Sequence, residues 1–195
     1  PSVARRGPRH QHNLTLRVPT PFELRMVAFG HGWIDLAPCR WDATLNALCT
    51  VIDLGTPAVP LPVDAQVSAR RDDRLHTRLD AKKALSHAQR AGAEHTLHTM
   101  LRLDQDLSTF HALCMRHPRL HWAKVRGAGR LLRGSTVFED LLKLLFTTNC
   151  SWAATKKMTQ RTVDSLGERA PSGARAFPSA AKCAAIATSF WRDQV

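Results

Sequence analysis

The chain has 195 residues, 44% of them hydrophobic and 23% charged, the proportions of an ordinary globular protein with one large domain or two small ones. No apolar run reaches the ~20 residues that span a bilayer and no charged-then-apolar leader opens the sequence, so the expectation is a cytoplasmic, nucleoid-associated protein with no membrane partner. A formal charge of +12 calls for a polyanionic partner.

In chain order, residues 1–13 read as a basic mobile arm, with Arg5, Arg6, Arg9, His10 and His12. Residues 14–93 read as a small sheet domain, since apolar residues alternate with polar ones and Pro and Gly interrupt them. Leu14, Leu16 and Val18 form one such series, and Trp33, Ile34 and Leu36 follow the Gly30-His31-Gly32 turn. Leu45, Ala47, Cys49 and Val51 form another series, as do Val59, Leu61 and Val63. One or two helices are expected across the sheet, around residues 40–50, where the periodicity is ambiguous, and 80–91.

Residues 94–195 read as helical. Leu97, Met100 and Leu101 make one stripe; Leu107, Phe110 and Cys114 make another, ended by Pro118. Thr136-Val-Phe-Glu139 has the form of a capping box and predicts a helix whose Phe138, Leu141, Leu142 and Leu145 face a core. After the break at Asn149-Cys150, Ser151 can cap a second helix that stops at Gly167. Its polar face carries Lys156, Lys157, Gln160, Arg161 and Asp164, with Trp152, Val163 and Leu166 turned elsewhere. Ser179 starts a third, alanine-rich helix. The fold class expected is therefore α+β.

Charge is concentrated in this half. From Arg119 to Arg161 there are nine basic residues against only Glu139 and Asp140, which reads as a binding face or as a solvated surface. The five cysteines are widely spaced and form no C-x-x-C pair, so neither a disulfide framework nor a zinc site is indicated. His117 and His121 stand four apart, but Pro118 intervenes and no H-E-x-x-H pattern exists; no metal or cofactor is called for.

The segment Arg130-Leu-Leu-Arg-Gly-Ser-Thr-Val-Phe-Glu-Asp-Leu-Leu-Lys-Leu-Leu-Phe-Thr-Thr-Asn-Cys-Ser-Trp152 is similar to one block of the helix-hairpin-helix DNA glycosylases. It most resembles the branch with the 3-methyladenine and 8-oxoguanine enzymes. Met100-Leu-Arg-Leu-Asp-Gln-Asp-Leu107 looks like that family's lead-in, Thr155-Lys-Lys-Met158 its next helix, and Phe177-Pro-Ser179 the start of the one after. Gly30-His-Gly-Trp-Ile-Asp-Leu-Ala-Pro38 with Trp41 resembles the opening of the branch's N-terminal sheet domain.

The resemblance implies a monomeric base-excision enzyme that acts on double-stranded DNA. Such enzymes rotate a damaged purine, alkylated or oxidised, out of the duplex and hydrolyse its bond to the sugar. It places Thr147–Trp152 in the loop that fills the gap left in the stack. Asn149 then engages the orphaned partner base; the alternative is that it only breaks the chain between helices. Ser151, Lys156, Lys157, Arg161, Arg130 and Arg133 are the other candidate DNA contacts, the basic ones through phosphates or else merely solvated. Trp152 is a base contact or part of the core. The family's Leu-Pro-Gly-x-Gly hairpin and the catalytic Asp that follows it have no match, and the expectation is that both lie beyond Val195. Asp140 sits in the first turn of a capped helix, where it suits the helix dipole, and is set aside as a catalyst. A non-catalytic DNA-binding or damage-recognition module is the alternative reading.

Overall fold

A computed structural model describes residues 9–69 and 73–195. Five strands form one antiparallel sheet in the order β1-β5-β4-β3-β2: β1 His10–Arg17, β2 Arg40–Asp42, β3 Ala47–Asp53, β4 Pro62–Ala69 and β5 Arg74–Ala81. Strands β2 to β5 form a meander, and β1 returns to pair with β5 from His10↔Ala81 to Arg17↔Arg74. Between β1 and β2 lie α1 (Leu24–Ala28) and a single 3-10 turn, Trp33–Asp35. The helices that follow are α2 (His87–Met100), α3 (Ser108–Met115), α4 (His121–Val125), α5 (Val137–Thr147), α6 (Trp152–Leu166), α7 (Ala180–Ala184) and α8 (Thr188–Gln194). The mixed α+β class is as the sequence pattern implied. No helix among the described residues is long and apolar enough to cross a membrane.

Several local expectations are corrected. The ambiguous stretch 40–50 is no helix but β2, a tight turn and the start of β3; Asp42 Oδ1 accepts the Leu45 N–H at 3.0 Å, and Asn46 takes a positive φ of 48°. Here the period-two alternation outweighs helix propensity because β3 is buried along six of its seven residues. The helix expected at 80–91 starts later. Residues up to Ala81 complete β5, and Ser86 with Gln89 forms a reciprocal capping box that opens α2. β1 begins at His10, so residues 10–13, expected in the arm, pair in the sheet, and Arg9 donates to the Pro171 carbonyl at 2.9 Å. Arg5 and Arg6 lie outside the described residues.

The main core lies on one face of the sheet. Leu16, Leu48, Ile52, Val63, Val67, Leu75 and Leu79 meet Ala93, Leu97 and Met100 of α2, with Leu24, Val27, Ile34 and Leu36 closing the side. The opposite face receives a loop, where Ala170 and Ala176 pack on Val51.

Helix α5 departs most from its expected packing. Leu141 and Leu145 are about 60% exposed, Phe138 and Leu142 half-buried, and the buried face carries Glu139, Lys143 and Phe146. Lys143 has 0% and Glu139 1% of its side chain exposed, with Lys143 Nζ 2.5 Å from Glu139 Oε1. The apolar period in α5 marked a stripe, but the side turned inward is set by this i,i+4 pair. The Thr136–Glu139 box is only half formed. Thr136 Oγ1 accepts the Glu139 N–H at 3.1 Å, while the Glu139 carboxylate accepts from Ser135 N–H and Oγ–H, both at 2.8 Å. Burial opposes the charge on Lys143, but Glu139, with Cys39 and Asp140, outweighs it and raises the ammonium's pKa.

Removing one partner of a buried pair leaves the other charge stranded, at roughly 3–5 kcal/mol. Lys143→Met is therefore expected to destabilise the fold by about that amount in urea unfolding. Glu139→Gln combined with Lys143→Met keeps an acceptor for Ser135 and is expected to recover most of the loss. A single-variant loss below about 1 kcal/mol would contradict the role assigned to this pair.

Candidate nucleic-acid interface

The candidate site is the turn between α5 and α6. At the end of α5, Thr147 and Thr148 fold their hydroxyls back onto the carbonyls of Leu144 and Leu145, at 2.7 and 2.6 Å. Ser151 caps α6 by accepting the Ala154 N–H at 3.2 Å. Thr155 Oγ1 donates to the Phe146 carbonyl at 2.8 Å, which ties the first turn of α6 to the last turn of α5. With both ends fixed, Asn149 absorbs the reversal in a left-handed conformation at φ 53°, a region that asparagine tolerates better than most residues. Its side chain is exposed and makes no hydrogen bond among the described residues. The amide's donor and acceptor groups are thus both presented outward.

Helix α6 packs through Thr155, Thr159, Thr162, Val163 and Leu166. Thr159 and Thr162 donate to the carbonyls of Thr155 and Met158, so the buried hydroxyls satisfy themselves within the helix. This threonine stripe is what the sequence reading missed; its only signal was the i, i+4, i+7 spacing of a small β-branched residue. The opposite face leaves Lys156, Lys157 and Arg161 exposed, none with an ion-pair partner among the described residues.

Trp152 is neither deep core nor free. It is 38% exposed, and its ring lies against the Gly30-His31-Gly32 turn. A Cβ on Gly32 would stand 3.0 Å from that ring, and Gly32 has φ 91°. Beside this contact His31 stacks on Trp33 with ring centroids 4.7 Å apart, and burial holds the His31 imidazole below its usual pKa, against the pull of Asp140.

The two arginines preceding α5 are placed differently from α6's cations. Arg130 is 4% exposed, and its guanidinium donates to the carbonyls of Arg102 and Gln105 at 3.0 and 2.9 Å. It holds the α2–α3 connection, where Arg102 turns through a positive φ of 54°, and presents no face to a phosphate. Arg133 is half-buried, 3.4 Å from Asp140 Oδ2. Asp140 is itself committed: its Oδ1 accepts from Trp33 Nε1–H at 2.9 Å and from the Gly134 N–H at 2.7 Å. Counting charges along the chain therefore overstated the basic face. Of the nine cations from Arg119 to Arg161, Lys143 and Arg130 are buried, Arg126 pairs with Glu23, and Arg133 lies against Asp140.

With this geometry in view, comparison with solved structures finds DNA glycosylases. The chain superposes on a 3-methyladenine DNA-glycosylase from Archaeoglobus fulgidus with a TM-score of 0.70 at 14% identity, covering 92% of this chain and 61% of that one. MBOgg1 in complex with a low-affinity DNA ligand gives 0.62 at 14% identity, covering 93% and 57%. The Clostridium acetobutylicum 8-oxoguanine glycosylase/lyase in its apo-form gives 0.60 at 11%, covering 96% and 60%. The chain thus has the fold of these proteins over about three fifths of their length. No protein-family profile and no curated protein sequence matches it.

A side chain at residue 32 must both enter the left-handed region and displace the Trp152 ring. Gly32→Ala is expected to cost about 1–2 kcal/mol, a fall of several degrees in Tm, and to make tryptophan fluorescence easier to quench with acrylamide. Unchanged Tm and quenching would show that Trp152 does not rest on this turn.

Proposed function

We propose that this protein engages double-stranded DNA as part of a base-excision DNA glycosylase for damaged purines, alkylated or oxidised. The observation that carries the reading is Asn149: an exposed, unbonded amide on a strained turn, held between two side-chain-capped helices. Such a group can enter the stack and bond an orphaned base while the α6 cations hold the backbone. Lys156, Lys157 and Arg161 stand on the helix that leads away from Asn149, so a duplex seated on the turn meets positive charge beside it. Ser151 and Trp152 shape the same turn, one as cap and one as a packed ring. The glycosylase structures that share the fold support the excision reading by analogy of fold.

The two acids of α5 favour a second reading for the 195 residues taken alone, that of a DNA-binding or damage-recognition module without chemistry. Excision needs a carboxylate able to face the sugar as positive charge develops there. In α5, beside the turn, Glu139 is buried in its ion pair and Asp140 is bonded to Trp33 and Gly134.

Both readings require salt-sensitive binding, with a slope of about 0.9 log units per log of salt for each phosphate neutralised. Fluorescence anisotropy of a labelled duplex from low to moderate salt is expected to show such a slope. The Lys156→Ala/Lys157→Ala variant is expected to lower it by about 2. Salt-independent affinity would remove the DNA reading altogether. Incubation with duplexes carrying alkylated or oxidised purines then separates the two readings. Binding without base release is expected of this chain, and lesion-dependent abasic sites above the protein-free rate would show a catalytic carboxylate among its residues.

A further inference from the structure

A second concentration of arginines lies away from the α5–α6 turn, and the DNA reading does not use it. The chain leaves α6 at Leu166 and folds residues 167–176 into a small hairpin on the outer face of the sheet. Arg169 and Arg175 pair across it as an isolated antiparallel bridge. Ala170 N–H donates to Ala174 O at 2.8 Å, and Ala176 N–H to Glu168 O at 3.0 Å. The tip turns at Gly173, whose φ of 95° suits glycine, and Ser172 anchors it through two hydrogen bonds to the Asp64 carboxylate. Arg175 Nη1 is fastened to the Gly167 carbonyl at 2.5 Å, and Lys182 pairs with Glu168 at the hairpin's base. This is a fixed loop rather than a loose connection.

Between the hairpin, the second half of α6 and residues 37–40 is a cavity of about 330 Å³, lined by Arg40, Arg169 and Arg175 together with Gln160 and Asp164. That volume falls in the range of small-ligand sites, about 300–1,000 Å³. Positive charge outweighs negative in the cavity. Arg40 forms an exposed ion pair with Asp42 at 3.6 Å, and the Arg169 side chain has no hydrogen-bond or ion-pair partner among the described residues. Asp164, the one acid in the lining, forms no ion pair with any of the three. Three guanidiniums offer more fork-shaped donors than the two oxygens of a carboxylate accept, whereas a phosphate presents three acceptor oxygens. The hairpin fixes the backbone of two of the three and the Gly167 carbonyl holds the Arg175 side chain, so part of the ordering is done before binding.

We propose that Arg40, Arg169 and Arg175 form a phosphate-binding site in this cavity. The inference does not rest on the DNA reading. The phosphate belongs either to a DNA backbone or to a free phosphate ester, and the two sources share the chemistry but differ in size.

The test titrates the 195-residue protein with inorganic phosphate at constant ionic strength, balanced with chloride, and follows backbone amide shifts by NMR. Saturable shifts confined to residues 167–176 and 37–40 are expected. Arg169→Ala removes a side chain that no contact in the fold uses, and is expected to weaken phosphate binding about tenfold, the equivalent of one charge-assisted hydrogen bond. Arg119→Ala, an exposed arginine elsewhere, is expected to leave it unchanged. Shifts that never saturate, or that are equal in Arg169→Ala and the parent, would overturn the site. Adding an undamaged duplex then assigns the source. A duplex that displaces phosphate from the same amides marks a backbone site, and one that binds while leaving them untouched marks a site for a free phosphate ester. Loss of duplex binding with phosphate shifts retained would count against the DNA reading and leave this one standing.

Discussion

Glu139 and Lys143 stand one helical turn apart at the middle of α5, both shut away from water, in a helix whose other residues, Asp140 and Thr147 apart, are leucine, phenylalanine and valine. A buried carboxylate or ammonium alone is strongly unfavourable, so each requires the other, and together they fix which side of α5 turns inward. Much else follows from that orientation. The carboxylate also gathers Ser135, which fixes the chain just before the helix, and Asp140, next along, ties the same chain end to Trp33 in the sheet region. At the far end, the Thr155–Phe146 hydrogen bond carries the placement of α5 across the turn into α6. The position of Asn149 is thus the product of a buried charge pair, two side-chain caps and one threonine.

How far the sequence foretold this varies with the kind of signal. Strand β1 announced itself through alternation, β3 only in part, since its start shared the ambiguous stretch 40–50, and the Val59–Val63 series reached no further than the start of β4. Strand β5 escaped notice because Arg74, His76, Arg78 and Asp80 alternate with only Leu75, Thr77, Leu79 and Ala81, a pattern weak in large apolar residues. The helix α5 was legible in position and cap, but not in facing. Two faces of that helix are apolar enough to be a core, and only tertiary placement decides between them. Val137, Leu141, Leu144 and Leu145 remain exposed as a result. Charge counting recognised a basic segment correctly and assigned too much of it to the surface, because a buried arginine such as Arg130 looks like any other until its carbonyl partners are known. The cavity of Arg40, Arg169 and Arg175 had no sequence signal at all, its members being brought together by a hairpin. By contrast, the family resemblance of the Arg130–Trp152 block led to the fold at an identity of 11–14% to the solved structures, where overall sequence comparison finds nothing.

The proposed function asks little that the local structure does not already supply. A turn that fills a gap in a base stack must be stiff, must project, and must carry hydrogen-bonding groups not spent on its own backbone. Thr147, Thr148 and Ser151 spend their hydroxyls on the Leu144 and Leu145 carbonyls and the Ala154 N–H, while the Asn149 amide is left available. The glycine-lined turn at residues 30–32 brings the sheet region up against Trp152, so the projecting turn is buttressed from one side by the ring and from the other by α6. Arrangements of this kind favour a preformed contact over one that orders on binding.

The central claim, that Asn149 enters the duplex, is tested most directly with 2-aminopurine placed opposite an abasic site, since its emission is quenched by stacking. Binding of the protein, confirmed by anisotropy, should raise that emission, and Asn149→Ala should bind the same duplex while leaving the emission close to that of free DNA. A bound duplex whose 2-aminopurine emission does not change, or changes equally with Asn149→Ala, would contradict the account.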